Sequence, residues 1–180
     1  SLLAEHDGWI YELYTWAVRL DSGELILGGE HEAMSASGKP SHEEVMLRLF
    51  LLKGVDIFRD VPADQLLPLA HVARRVSFKA GEIIFEEGAP GDELFVVANG
   101  AVAIEKGGGV LATLKQRAPF GEMAILEDAG HRSAAARAAE PTDCLVIGRD
   151  DFYGLFDIAP GLARGVIKVL VERARKNMDE

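Results

Sequence analysis

Cysteine is almost absent from the chain, which has one, Cys144, in 180 residues. A single cysteine excludes an intrachain disulfide framework and any zinc or iron–sulfur site that needs several cysteine ligands. We interpret Cys144 as a small, buried apolar residue. The sequence also lacks an apolar run of the roughly 20 residues that span a bilayer, and its start lacks the charged-then-apolar order of a secretory signal. We therefore expect no membrane insertion and a cytoplasmic setting, either alone or as the cytosol-facing domain of a larger protein.

Positive charge is also scarce, since 19 Lys and Arg face 29 Asp and Glu and the net charge is −10 at pH 7. Duplex nucleic acids are bound by clustered Lys and Arg, so we expect no nucleic-acid partner. A small anion needs only a local device, such as backbone N–H groups and one well-placed Arg. The histidines are scattered: His6, His31, His42, His71 and His131. A cupin-like enzyme needs a His and carboxylate cluster for its metal, so we expect no metal, no cofactor and no catalysis.

The first 40 residues differ in pattern from the rest. Apolar residues recur there at helical spacing: Trp9, Leu13, Trp16 and Leu20. The segment 21–39 is rich in glycine, serine and charge, which is typical of a linker. We therefore divide the chain into 1–40, an N-terminal helix with its linker, and 41–180, the main domain.

Two helices are predicted before the first strand. Ser41 and Glu44 fit a capping box, which predicts a helix over 45–52. Pro62 opens a second predicted helix that runs to Val72. After the last strand, Asp150 is predicted to cap a short helix through 156. Pro160 then opens a longer helix, in which these apolar residues share a face: Leu162, Val166, Val169 and Leu170.

From 74 to 148 the pattern changes to short β-branched or aromatic runs separated by Gly, Pro and Asp. The predicted strands are 76–78, 82–86, 93–98, 101–105, 110–114, 133–138 and 144–147. The run 82–86 alternates apolar and polar residues, whereas 94–97 is apolar on both faces and is predicted to lie between two layers. The fold class is therefore mainly β with flanking helices, an antiparallel roll of the double-stranded β-helix type.

Two motifs distinguish this roll from a generic one. In the first, Gly88, Gly91 and Gly100 flank a buried strand, and we interpret them as turn residues with positive φ. In the second, Phe120-Gly121-Glu122 is followed by Arg132-Ser133-Ala134, with 11 positions between Gly121 and Arg132. An isolated Arg is usually a surface ion-pair residue, so it is the spacing that favours a binding role. His131 is interpreted as an exposed loop residue.

These motifs together resemble the cyclic nucleotide-binding domain family, in its catabolite-activator and protein kinase A regulatory forms, over about 45–175. The segment 120–135 is similar to that family's phosphate-binding cassette. The resemblance implies a regulatory or sensor module that binds a cyclic nucleoside monophosphate. It also implies that the final helix acts as a lid over the base and transmits occupancy.

The resemblance also assigns a set of ligand-binding residues. They are Phe120, Gly121, Glu122, Met123, Ala124, Arg132, Ser133 and Ala134. Arg132 would bind the phosphate through its bidentate fork, together with free N–H groups of a helix that opens at Glu122. The Glu at this place in the family accepts the ribose 2′-hydroxyl. Members that prefer guanine often have Thr where Ser133 stands, so cAMP is expected over cGMP.

Other interpretations remain open. The same roll without a ligand would be a scaffold or interaction domain. A catabolite-activator-type transcription factor would need a DNA-binding domain beyond residue 180. The N-terminal segment is similar to junctions at which HEAT-type repeats lead into such a roll, which implies the C-terminal regulatory domain of a larger HEAT-repeat or transporter-linked protein. The partners considered are therefore an attached upstream domain and a second copy bound through the helices.

Overall fold

Two four-stranded antiparallel sheets organise the computed structural model, which describes residues 40–127 and 130–178. The described elements follow in this order: α1 (His42–Lys53), the 3₁₀ helix η1 (Asp56–Phe58), α2 (Ala63–Val72), β1 (Arg74–Phe78), β2 (Ile83–Phe85), β3 (Glu93–Asn99), β4 (Val102–Lys106), β5 (Gly109–Leu114), β6 (Pro119–Phe120), α3 (Glu122–Leu126), β7 (Ala135–Ala138), β8 (Thr142–Gly148), α4 (Arg149–Ile158) and α5 (Gly161–Met178). This confirms the predicted mainly β roll with helices on both sides of it in sequence. The predicted N-terminal helix around Trp9 and Trp16 lies outside the described residues, and the boundary at residue 40 stays a prediction.

Successive strands lie in different sheets, except for β4 and β5, which pair within one sheet. One sheet has the order β1-β8-β3-β6 and the other β2-β7-β4-β5. Their inward side chains form one apolar core: Phe95, Val97, Val102, Phe120, Ala136, Cys144 and Val146. Leu94 to Val97 are all 5% exposed or less, which confirms that β3 is covered on both faces. Because β3 is fixed on both sides, the loops at its ends have a rigid base.

Cys144 lies on β8, between β1 and β3. Its side chain is 0% exposed. Burial, with a smaller contribution from the Asp143 carboxylate, raises the pKa of its thiol to about 12. The interpretation of Cys144 as a buried apolar residue is therefore confirmed, since a thiol with this pKa is protonated and unreactive near neutral pH.

Both predicted helices before β1 are present, although α1 starts at His42, ahead of the predicted 45, and α2 starts at Ala63, one residue after Pro62. The Ser41 hydroxyl accepts a hydrogen bond from the Glu44 backbone N–H at 3.1 Å, which caps α1. Pro62 immediately precedes α2, and the side of α2 carrying Leu66 and Leu69 is buried. The helix η1 and the strand β6 were not predicted, because two or three residues are too few to show a periodic pattern.

Two local predictions are wrong. Asp150 does not cap α4, because Gly148 is the N-cap and Asp150 is already in the first helical turn. The apolar and polar alternation of 82–86 also fails. Ile83 is 42% exposed, whereas Ile84 and Phe85 both pack against the core. The pairing of β2 with β7 shifts register between Ile83 and Phe85, and such an irregularity breaks the strict alternation of faces.

The last helix packs against η1 at its first turns. Leu162 and Val166 are buried, and a Cβ added at Gly165 would lie 2.1 Å from the Ile57 carbonyl oxygen. Backbone therefore meets backbone where α5 crosses η1. The side chain of Val169, which belongs to the predicted apolar face, is outside the described set, and Leu170 is half-buried. Among the described residues, no helix has the length and hydropathy that a membrane span needs.

Candidate functional site

The loop between β6 and α3 turns sharply at Gly121. Its φ is 78°, in the left-handed region that favours glycine. A Cβ at this position would lie 2.5 Å from Nη1 of Arg132 and 3.2 Å from the Glu93 carbonyl oxygen. Gly121 is therefore required twice, once for its backbone conformation and once for the close approach of an arginine. The helix that follows begins at Glu122, as the sequence predicts.

Arg132 is fixed beneath this turn by four groups, two carbonyls and two aromatic rings. Its Nη1 donates to the Glu93 carbonyl at 2.8 Å and to the Gly121 carbonyl at 3.1 Å. The guanidinium carbon lies 4.2 Å from the centre of the Phe85 ring and 5.5 Å from that of Phe95. Stacking and hydrogen bonding together define the plane of the guanidinium. These contacts within the protein hold the side chain in place.

Gly91 supplies the space in which the Arg132 guanidinium lies. A Cβ at Gly91 would be 2.1 Å from Nε and 2.4 Å from the guanidinium carbon. Backbone hydrogen bonds also join segment 89–91 to segment 130–132. The N–H of Arg132 donates to the Ala89 carbonyl at 2.8 Å, and the N–H of Gly91 donates to the Gly130 carbonyl at 2.7 Å. Gly88 and Gly100 have positive φ as predicted, but Gly91 does not. The positive φ predicted for Gly91 is therefore wrong, and the position needs glycine for room.

The electrostatic setting of Arg132 is that of a buried cation. Burial lowers the pKa of its guanidinium, while the Glu93 and Asp92 carboxylates raise it. Its Nε is buried without a hydrogen-bond partner. Glu122 and Arg132, at 3% and 5% exposed, are the two charged residues classed as buried in the described part of the chain. Burying a charge is costly unless something compensates it, so a segment that buries both signs is a candidate for recognition of a polar, charged ligand.

The remaining predicted site residues differ in accessibility. Ser133 is exposed, and Ala134 and Met123 are half-buried. Ala124 is 1% exposed and its carbonyl accepts a hydrogen bond from Arg149, so its contact with a ligand stays a prediction. Phe120 is 3% exposed and stacks on Phe95 with ring centres 5.2 Å apart. The side chain of Phe120 therefore belongs to the core and supports the turn from below.

Two residues near the site were not singled out from the sequence. Arg149 donates through Nη2 to the Ala124 carbonyl, and the Tyr153 hydroxyl donates to the Ile125 carbonyl at 2.9 Å. Both lie on α4, one turn apart. No motif marks them, because their partners are backbone carbonyls of another element, and only the arrangement in space brings these groups together. His131 is exposed, as predicted, and forms an isolated bridge with Pro90.

The groups at the site are of kinds that bind a ligand. Within 40–127 and 130–178, no group of three or more His, Cys, Asp or Glu is placed to hold a metal ion. What the cassette segment offers is a fixed guanidinium, a buried carboxylate and an exposed serine, Ser133. This combination suits an anion that also carries hydroxyl groups.

Comparison with known proteins points to one family. Residues 75–158 match the family described as "Cyclic nucleotide-binding domain". The chain is 34% identical over 131 residues to the cyclic AMP receptor protein of Thermus thermophilus, covering 69% of this chain and 60% of that protein. It is 30% identical over 97 residues to a cGMP-dependent protein kinase of Caenorhabditis elegans, covering 54% of this chain and 12% of the kinase.

A solved structure agrees with these relatives. The cAMP-bound protein titled PfPKA-R (141-441) superposes with a TM-score of 0.63 at 25% identity, covering 75% of this chain and 45% of that one. The chain spans 60% or less of the length of each of these three proteins. The likeness therefore concerns one module of longer proteins.

Proposed function

Because residues 75–158 belong to the cyclic nucleotide-binding domain family, we propose that this chain is a regulatory module that binds a cyclic nucleoside monophosphate beside Arg132. One observation carries the assignment. The two buried charged residues of the described part, Glu122 and Arg132, are the same two that the family pattern assigns to the ribose and the phosphate. Two charges of opposite sign buried around one glycine turn are difficult to explain by stability alone, since buried ions cost free energy.

In the proposed contacts, the two ends of the segment 120–135 bind different parts of the ligand. Arg132 binds the phosphate through its guanidinium, and Ser133 and Ala134 add a hydroxyl and a backbone N–H. Glu122 accepts the ribose 2′-hydroxyl, because an ionised carboxylate is an acceptor. The backbone at Gly121, Met123 and Ala124 lines the ligand, and Phe120 supports the turn from the core. An isolated phosphate would engage only one half of this site.

The base preference is proposed as adenine over guanine. The support is the serine at position 133, where guanine-preferring members of the family often carry Thr. The relatives include a protein named for cyclic AMP and a kinase named for cGMP. A direct comparison of the two nucleotides is therefore part of the test below.

The proposed output is a change at α5. Its buried residues Leu162 and Val166 and its close packing against η1 support a helix that moves as one body. The boundary at residue 40, an attached upstream domain and a cytoplasmic setting belong to the same proposal. The lengths of the relatives support attachment, since each is longer than this chain. The proposal gives the module no reaction of its own and no nucleic-acid partner.

The test is calorimetric titration of the whole chain with cAMP and with cGMP. We expect both to bind and cAMP to bind more tightly. Arg132→Ala removes a charge-assisted pair that contributes roughly 1.5 to 3 kcal/mol, so affinity should fall at least about tenfold. Arg132→Lys should recover part of this, because it keeps the charge but loses the fork.

A matched control is Arg137→Ala on β7, where the arginine pairs with Glu105 at the surface. Its affinity for nucleotide should stay within about twofold of the parent, because exposed ion pairs contribute little. Failure of the parent to bind either nucleotide would favour the ligand-free scaffold. Equal binding by the parent and Arg132→Ala would refute the assignment of the phosphate to Arg132.

A further inference from the structure

Two side chains of α4 hold the end of the short helix α3. Arg149 Nη2 donates to the Ala124 carbonyl and lies 3.5 Å from the Gly91 carbonyl oxygen. The Tyr153 hydroxyl donates to the Ile125 carbonyl at 2.9 Å. Residues four apart on a helix lie on the same face, so these donors reach α3 side by side. They meet two consecutive carbonyls of one helical turn.

These contacts matter because α3 has only five residues. The last carbonyls of a helix have no partner within the helix, and in so short a helix they are most of the carbonyls present. A cation near a helix C-terminus is also favourable electrostatically. The backbone conformation of α3 therefore depends on donors that another element supplies.

Arg149 also touches the segments that fix Arg132. Its Nη2 would lie 3.0 Å from a Cβ added at Gly130. Gly130 accepts the hydrogen bond from Gly91, the residue whose backbone packs against the Arg132 guanidinium. The N–H of Arg149 donates to the Asp92 carbonyl at 2.7 Å. Arg149 thus bonds to α3 and to the loop before β3, and it lies close to Gly130, two residues before Arg132.

We propose that Arg149 and Tyr153 are positioning residues of the nucleotide site. They hold α3 and the Gly91 loop in the geometry that receives the ligand, and they contact no ligand atom themselves. This inference rests on the proposed function. Because binding and the position of α4 are linked through these contacts, a shift of α4 changes ligand affinity by the same factor by which ligand changes the equilibrium of α4.

A purely structural role would give a different result, and the chain offers a matched comparison. Arg48 on α1 donates through Nη1 to the Ala70 and Ala73 carbonyls, and its Nε is buried without a hydrogen-bond partner, as is that of Arg149. Arg48 ties α1 to the end of α2. Replacing it removes the same kind of contact from a part of the fold that holds none of the proposed ligand residues.

The experiment titrates the whole chain with cAMP in the parent and four variants. Tyr153→Phe should weaken binding about threefold to tenfold, because it removes one neutral hydrogen bond and keeps the ring stacked on Phe156. Arg149→Gln should weaken binding at least about tenfold, and Arg149→Lys should recover part of the loss. Arg48→Gln should bind within about twofold of the parent. Amide hydrogen exchange of residues 123–127, measured without ligand, should be faster in Tyr153→Phe and Arg149→Gln and unchanged in Arg48→Gln.

The outcomes separate the two proposals. If the parent binds cAMP and both Tyr153→Phe and Arg149→Gln bind within twofold of it, the positioning role is overturned. If Arg149→Gln does not fold, Tyr153→Phe decides the matter by the same criterion. If the parent binds neither cAMP nor cGMP, the proposed function fails. The exchange rates of residues 123–127 then decide whether Arg149 and Tyr153 hold α3 in place. Faster exchange in Tyr153→Phe and Arg149→Gln supports this role, and unchanged exchange overturns it.

Discussion

At the scale of single residues, the position of the Arg132 guanidinium depends on the lack of a side chain at Gly91. The atoms that an added Cβ would meet are Nε and the guanidinium carbon, at 2.1 and 2.4 Å. Those atoms cannot move aside freely, because Phe85 stacks against them and two carbonyls hold Nη1. Even a methyl group must therefore displace the cation from its place.

Gly91→Ala should consequently weaken nucleotide binding at least about tenfold. Overpacking of this kind costs roughly 1 to 3 kcal/mol of folding stability, so the variant should remain folded. Gly109→Ala is the control, because a Cβ there meets only the Lys106 carbonyl oxygen at 3.9 Å and neither glycine has a left-handed φ. Titration calorimetry and thermal unfolding of both variants test this. Parent-like affinity in Gly91→Ala would contradict the close-packing argument.

Glu122 leads to a prediction about one hydroxyl group. If its carboxylate accepts the ribose 2′-hydroxyl, Glu122→Gln should weaken the binding of cAMP by about tenfold, since hydrogen bonds to charged groups contribute roughly 1.5 to 3 kcal/mol. The 2′-deoxy analogue should be affected within about twofold, because it lacks the partner. Titration of the parent and Glu122→Gln with cAMP and with its 2′-deoxy analogue gives the four affinities of a thermodynamic cycle. Equal losses for the two ligands would show that Glu122 acts on the fold of the segment instead.

At the scale of elements, the first turns of α5 pack backbone to backbone against η1 and against Asp60, two residues beyond η1. Gly165 faces the Ile57 carbonyl oxygen and Gly161 faces that of Asp60, at 2.1 and 3.0 Å from an added Cβ. Side chains would keep the two elements apart by more than this. Gly161 and Gly165 therefore allow the close approach that sets the position of the start of α5, and this position brings the rest of its buried face against the fold.

Gly165→Ala should weaken the packing of α5 against η1. We expect a loss of about 1 to 3 kcal/mol in folding stability and faster amide exchange over 162–168, because the helix must shift to admit the methyl group. Gly154→Ala in α4 is the contrast, since its Cβ meets nothing within 4 Å, and alanine is the better helix former. Equal stability and exchange in the two variants would mean that α5 is not held at Gly165.

Elements long enough to show a period were predictable from the sequence, and the contacts between them were not. The run Leu94 to Val97 is apolar on both faces, which was sufficient to place β3 inside the fold. Asp150 has the chemistry of an N-cap, but the helix starts two residues earlier than such a cap would place it, with Gly148 as the N-cap. The donors Arg149 and Tyr153 bind backbone carbonyls of α3, and no residue type in α3 signals that contact. Family spacing identified Arg132, whereas the role of Gly91 beneath it required distances in space.

At the scale of the whole molecule, ligand binding and folding are one equilibrium. A nucleotide at ~100 times its dissociation constant stabilises the native state by roughly 2.7 kcal/mol. For a domain of this size that corresponds to a rise in melting temperature of about 5 to 10 °C. A thermal scan with cAMP should show this rise, and Arg132→Ala should lose most of it. An equal rise in Arg132→Ala would mean that the nucleotide binds elsewhere.

The rate at which Cys144 is labelled by a thiol reagent should report the link between ligand binding and folding. Cys144 is the sole cysteine of the chain, it is 0% exposed, and its thiol pKa is about 12. A thiol reagent at pH 8 can modify it only during excursions in which the roll comes apart, so each labelled molecule counts one opening. At ~100 times the dissociation constant, cAMP should make such openings about a hundredfold rarer and slow the labelling equally. The centre of the core thus carries a built-in reporter of occupancy that needs no dye or tag.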